Sequence, residues 1–233
     1  RADVAPVRAP FPWCGGKARA SEVIWPRFGD VANYVEPFAG SLAVLLSRPH
    51  PARTETVNDL DCNVANFWRA VQAAPDEVAR WADWPVNEAD LHARHRWLVS
   101  VLPAHRERME REPDYFDAKI AGWWVWGLCQ WIGTGWCVQR GHGCAPDGDL
   151  PASPPTQLPH LGNAGRGVHR KIPHLGDAGR GDLIGLFQQL QQRLRRTRIA
   201  CGDWSRVLGD SVTWRHGATA ILLDPPYADG DME

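Results

Sequence analysis

The sequence predicts an α/β fold built on a parallel sheet and interrupted by a long, mostly helical and loop insertion. Three observations predict it. Strand-like and helix-like segments alternate up to about residue 73, the signature of crossover connections. From about 74 to 197 that alternation is lost. It then resumes with a strand and a final apolar run, Ala220 to Leu223, which is broken by Asp224-Pro225-Pro226-Tyr227.

Each element has a local reason. Residues 17–28 read as a short helix ending near Pro26 and Gly29. Tyr34-Val35-Glu36 reads as a strand, and Pro37 to Ser41 as the turn after it. A helix from Leu42 to Ser47 is stopped by Pro49 and Pro51. Thr54 to Val57 is a second strand closed by Asn58-Asp59, and Asp61 is placed to cap a helix running to Ala73. After the insertion come a helix over 183–195, a strand over 198–201 and the apolar run before Asp224. That run reads as a buried strand, and its prolines force a rigid turn at its carboxyl end.

Within the insertion, 75–132 reads as helical, with Trp81, Trp84, Leu91, Trp97 and Leu98 as core candidates. A second helical stretch carries Phe116, Ile120, Trp123, Trp124 and Trp126, a spacing expected of packing rather than of a base-stacking platform. Residues 133–181 are rich in Gly, Pro, Arg and His, and within them PHLGNAGRG at 159–167 recurs as PHLGDAGRG at 173–181. Two short copies are too few for a solenoid. A flexible basic arm that orders on a polyanion is the expectation, with ordinary disorder as its rival.

Composition excludes several classes. No apolar stretch of the 233 residues is long enough to span a membrane, and no secretory leader is visible, so a cytoplasmic location is expected. The six cysteines are scattered without a disulfide framework or a zinc spacing, which suggests free thiols and no metal. The formal net charge of -1 does not advertise a polyanion partner. Between 151 and 198, however, eight Arg and Lys side chains face only two Asp, a local basic face compatible with phosphate contacts.

The four strand ends carry the chemistry. In a doubly wound sheet ligands sit beyond the carboxyl ends of the strands. Here those ends are Glu36-Pro37-Phe38-Ala39-Gly40, Asn58-Asp59, Gly202-Asp203-Trp204 and Asp224-Pro225-Pro226-Tyr227, so all four converge on one rim. Gly40 permits close approach of a ligand where a Cβ would collide. Asp59 lies 19 residues further on, the usual offset for an acid that binds ribose hydroxyls. Asp224, the nearby carbonyls and the face of Tyr227 suit a planar ring with an exocyclic amine, as an extruded nucleobase presents.

With the opening Trp13-Cys14-Gly15-Gly16-Lys17 added, the chain resembles the Dam-like (D12-class) DNA adenine N6-methyltransferases of bacteria and phages. The motifs appear in that family's order: Trp-x-Gly-Gly-Lys, Glu-Pro-Phe-x-Gly-Ser, Asn-Asp, Asp-aromatic and Asp-Pro-Pro-Tyr. The resemblance implies a Rossmann-like, S-adenosylmethionine-dependent methyltransferase sheet formed by 1–73 and 198–233. It implies an inserted target-recognition domain over 74–197. By the same analogy Trp13 and Lys17 help enclose S-adenosylmethionine, with Lys17 near its carboxylate. Glu36, Phe38 and Gly40 line the methionine side, Asp59 takes the ribose hydroxyls, and Asp203 and Trp204 hold the adenine. Double-stranded DNA is the implied partner, with no membrane and no obligate protein partner.

Asp224, Pro225, Pro226 and Tyr227 are then the catalytic group. Asp224 and the Pro225 carbonyl would accept the two hydrogens of the adenine amine, and Tyr227 would stack on the flipped base. Gln139 and Arg140, on a hairpin expected near 131–141, are candidates for major-groove readout. Arg166, Arg170, Lys171 and Arg180 are the candidate basic contacts of the loop. Pro12 stands where relatives reading GATC often carry Lys, which leaves the target sequence open. Only Ala228 to Glu233 follow the motif, where the family places further strands, so a truncated chain is expected. Three alternatives remain. They are an rRNA guanine N2-methyltransferase, which lacks the Trp-x-Gly-Gly-Lys opening, an N4-cytosine methyltransferase, in which Ser usually replaces the first Asp, and a non-catalytic DNA- or cofactor-binding fragment.

Overall fold

A computed structural model describes residues 7–11, 13, 17–131, 136–137 and 183–225. Its sheet has four parallel strands: β1 (Asn33–Glu36), β2 (Thr54–Asp59), β3 (Thr197–Cys201) and β4 (Thr219–Ile221), in the order β3-β2-β1-β4. Every residue of β1 is buried, as expected of a central strand covered on both sides. Register aligns the strand ends, with Glu36 opposite Val57, Asp59 opposite Cys201 and Val35 opposite Ile221. The order reverses at β1, between β2 and β4, and such a switch point opens a crevice at the carboxyl rim.

β4 departs from the expected strand of 220–223. It starts at Thr219, ends at Ile221, and only Ala220 within it is buried. Leu222 still donates its N–H to the Val35 carbonyl at 2.9 Å, but Leu223 is 59 % exposed. The physical reason is position: among the described residues β4 pairs with β1 alone, so one edge has no neighbour to bury it.

The helices are α1 (Ser21–Phe28), α2 (Ala43–Leu46), α3 (Cys62–Ala73), α4 (Pro75–Ala82), α5 (Glu88–Arg111), α6 (Ala118–Leu128) and α7 (Leu183–Leu194). α1 begins four residues later than expected and runs through Pro26 to Phe28, where Gly29 donates to the Trp25 carbonyl. α2 is shorter than its predicted span because Leu42 adopts a left-handed conformation, φ 54°. Asp61 caps α3 as anticipated, its Oδ1 accepting from the Asn63 N–H at 2.8 Å. Asn87 and Asp117 cap α5 and α6 in the same way.

α3 is the hub. Nine of its residues are buried, which is nearly all round and fits a helix enclosed by neighbours. Its Asn66 side chain holds both the N–H and the C=O of Asp117, at 2.8 and 3.0 Å, and so fixes the start of α6. Phe11, Phe67, Trp68, Trp124 and Phe187 form one aromatic knot with ring centroids 4.9–5.9 Å apart. That knot joins the N-terminal segment, α3, α6 and α7, so helices on either side of residues 138–182 share the core of the sheet.

Two expectations fail here. Trp81 and Trp84 are 38 % and 46 % exposed rather than core residues. The close contact of α4 with Gly122 of α6 is made by the Trp81 Cβ and by the Val78 and Ala82 backbone, and the Trp81 ring lies edge-on to Trp123, partly open to solvent. Arg193, counted in the basic face, instead turns inward. It pairs with buried Glu55 at 2.8 and 3.0 Å, beside Arg48 at 3.1 Å and the Thr197 hydroxyl at 3.1 Å. Among the described residues no helix is long and apolar enough to cross a membrane. The four described cysteines are free thiols.

Candidate active site

The rim begins at Glu36, the last residue of β1. It is buried, and the Tyr34 hydroxyl donates to its Oε2 at 3.0 Å. Burial raises its carboxyl to about 8, and the neighbouring Asp224 and Asp59 charges push the same way. Asp59 ends β2. Its Oδ2 accepts from the Gly40 N–H and its Oδ1 from the Asp61 N–H, both at 2.9 Å. Burial and the nearby Asp61 nevertheless lift it to about 7. The backbone N–H groups of Gly40, Asp61 and Leu60 all act on it and favour its ionised form.

Gly40 sits in the first turn at φ 46° and accepts from the Trp68 indole N–H at 2.9 Å. The close approach it permits is taken by Trp13, not left open. A Cβ on Gly40 would stand 2.3 Å from Trp13 Nε1. Trp13 in turn packs on Phe11 and Trp124, which ties the opening motif to the core.

Lys17 reaches the other side of the rim. Its Nζ lies 3.0 Å from Asp224 Oδ1, each side chain a little under a third exposed. The first and last motifs, more than two hundred residues apart in sequence, are therefore in direct contact. Pro225 follows as an exposed residue. Pro226 and Tyr227 lie outside the described residues, as do Cys14, Gly15 and Gly16.

Beyond β3, Asp203 is exposed and caps a short 3-10 turn, Trp204–Val207. Its Oδ1 accepts from the Ser205 N–H at 2.9 Å and from the Ser205 hydroxyl. Those hydrogen bonds hold its carboxyl below the ordinary range. Trp204 is 44 % exposed, and its ring lies 6.1 Å from that of Phe38, tilted by 33°. That is a direct aromatic contact, so a third ring enters between them only if they part.

One residue of the rim had no role assigned from sequence. Asn58 is buried, and its Nδ2 donates to the Pro37 carbonyl at 3.0 Å and to the Gly202 carbonyl at 2.9 Å. Its backbone carbonyl accepts from the Ala39 N–H at 2.8 Å. A single side chain thus laces the turns after β1 and β3 to the end of β2. Its available signal was an amide at the end of an apolar strand, where a buried polar group must find partners.

The DNA-contact candidates Gln139, Arg140, Arg166, Arg170, Lys171 and Arg180 lie outside the described residues. Among the described residues no group of three or more His, Cys, Asp or Glu could hold a metal ion.

No curated protein matches this chain. Residues 13–101 match the sequence model of the D12 class N6 adenine-specific DNA methyltransferases, a span that holds Trp13, Lys17, Glu36, Phe38, Gly40, Asn58 and Asp59 and ends within α5. With the parallel, Rossmann-like sheet that presents those residues on one rim, this segment is similar to the D12 class N6 adenine-specific DNA methyltransferases.

Proposed function

We propose that the chain transfers a methyl group from S-adenosylmethionine to the N6 amine of an adenine extruded from duplex DNA. The observation that carries this reading is the convergence of Glu36, Asp59 and Asp224 on one rim, with Lys17 among them. Asp224 and Asp59 both oppose a negative charge on Glu36, which a ligand bearing positive charge would relieve, and Asp59 stands at the end of β2 where a hydroxyl-bearing ligand can reach it. A sulfonium nucleoside with an amino-acid tail meets both demands, so the residues present fit this cofactor.

When bound, S-adenosylmethionine would supply an electrophilic methyl group on sulfur. The residues of the chain do the rest by position. Asp59 holds the ribose hydroxyls, Glu36 faces the cationic end, and Trp204 offers an exposed aromatic face for the purine. Asp224 and the Pro225 carbonyl accept the two hydrogens of the target amine and draw its nitrogen toward tetrahedral geometry. So held, the amine nitrogen would present its lone pair to the methyl group the cofactor supplies, whose C–S bonding electrons would remain on sulfur. The surplus proton leaves through Asp224 to solvent. Tyr227 stacks on the flipped base and offsets part of the unstacking.

Target recognition belongs, on this reading, to the segment 74–197. Gln139 and Arg140 read the groove, and Arg166, Arg170, Lys171 and Arg180 contact phosphates. A cytoplasmic location follows from a DNA substrate and from free thiols. The test is to incubate the protein with methyl-labelled cofactor and duplex DNA, hydrolyse the DNA and identify the modified base. N6-methyladenine supports the reading, whereas label on cytosine or only on RNA overturns it.

A further inference from the structure

The paired register of the sheet stops at the rim. β1 pairs with β2 as far as Glu36 and Val57, and β2 pairs with β3 as far as Asp59 and Cys201. The next residues of the two flanking strands are Pro37 and Gly202, and both direct their carbonyls at one side chain of β2. Asn58 Nδ2 donates to them at 3.0 and 2.9 Å, which uses both amide hydrogens. Those carbonyls also fix the sense of the amide, since a flipped group would set Oδ1 against them. Asn58 Oδ1 is itself buried and has no partner. An apolar side chain would fill the same space without burying an unpaired acceptor, so packing does not account for the amide. What its donors hold does.

They hold the spacing of two turns. The backbone braces the same junction: the Ala39 N–H donates to the Asn58 carbonyl at 2.8 Å, and the Gly202 N–H to the Asp59 carbonyl at 3.0 Å. Glu36 precedes Pro37, Asp59 follows Asn58, Phe38 follows Pro37, and Trp204 follows Gly202 by two residues. The tie therefore lies at the base of both acids and of the Phe38–Trp204 ring pair, whose centroids are 6.1 Å apart. We propose that Asn58 is a positioning residue that fixes the distance between the turns after β1 and β3, and so selects the length of the ligand that bridges them. This rests on the functional reading above and deepens it, because a nucleoside joined to an amino-acid tail is a ligand with two ends. Its affinity depends on both ends reaching their places together. With the tie intact, a tail of the wrong length seats one end at the expense of the other. Without the tie, the turns shift to suit.

Calorimetry with two ligands tests this without turnover. One is S-adenosylhomocysteine, and the other is its homologue with an extra methylene between the sulfur and the α-carbon. Folded wild type should bind the homologue roughly 10-fold more weakly, the discrimination that one methylene provides in a fixed site. Asn58→Ser offers a single hydrogen and can hold at most one of the carbonyls, whereas Asn58→Ala holds neither. The ratio of the two affinities should fall in that order and come close to one in Asn58→Ala. A merely structural role would weaken both ligands by the same factor and leave the ratio unchanged. Thermal melts set a temperature at which the compared proteins are folded, and Asn58→Ser carries the comparison if Asn58→Ala does not fold. An unchanged ratio in a folded variant overturns the spacing proposal and leaves the functional reading standing. Equal affinities of wild type for the two ligands do the same, whether or not the variants fold. Failure of folded wild type to bind S-adenosylhomocysteine overturns the functional reading, and this proposal with it.

Discussion

Replacing Glu36 by Gln should flatten the pH dependence of stability, and the size of the effect follows from the rim. The Glu36 carboxyl rises from 4.5 to about 8 on folding, chiefly by burial. Between those values the unfolded chain has released the proton and the folded chain retains it. Stability therefore falls as pH rises through that window. The full contribution is present below about 4.5 and lost above about 8. At 1.36 kcal/mol per unit the loss has an upper limit of about 5 kcal/mol. Asp59, lifted to about 7, acts in the same direction in both proteins. Their titrations are coupled, so the variant also relieves part of the Asp59 shift. Gln keeps an acceptor for the Tyr34 hydroxyl, which makes it a fair isostere. Urea unfolding at pH 5, 7 and 9, followed by tryptophan fluorescence, reads the difference. The variant should match wild type at pH 5 and exceed it by about 2–5 kcal/mol at pH 9. Parallel profiles for the two proteins would refute the assignment of Glu36 as a buried, proton-retaining carboxyl.

Asn58→Leu should cost about 2–4 kcal/mol in urea unfolding, since the Pro37 and Gly202 carbonyls both lose the donor that laces their turns. Gly40→Ala should destabilise by at least about 1 kcal/mol, by clash with the Trp13 indole and by strain at φ 46°. A higher melting temperature in that variant would contradict the packing of Trp13 on the turn. Arg193→Met should cost about 3 kcal/mol, because Glu55 is buried and loses one of two cations. Arg53→Ala, which breaks the exposed pair with Asp30, should stay within about 0.5 kcal/mol of wild type.

Local signals in the sequence predicted much of the frame. Asp61 as a cap, the strands ending at Glu36 and Asp59, and the turn at Gly40 depend on neighbours within a few residues. Side-chain capping and backbone geometry act over that range, so they are legible in one dimension. The order of motifs along the chain likewise points to the methyltransferase family. Burial was less legible. Trp81 and Trp84 have core-like side chains, yet both are partly open to solvent. The strand before Asp224 was read as buried because its residues are apolar, while its exposure depends on which strand lies beside it.

Pairing across long sequence separations was decided only in three dimensions. The order β3-β2-β1-β4 sets β4 beside β1, and only then do Asp224, Glu36 and Lys17 share one rim. The same folding turns Arg193 onto Glu55, 138 residues away, and so removes a cation from the basic face that composition had counted. It also fills the space over Gly40 with Trp13 and makes Asn58 the tie between two turns. A sequence lists the groups able to make such contacts. Which contacts form depends on closing long loops against chain entropy, and the shared core of α3, α6 and α7 makes those closures favourable.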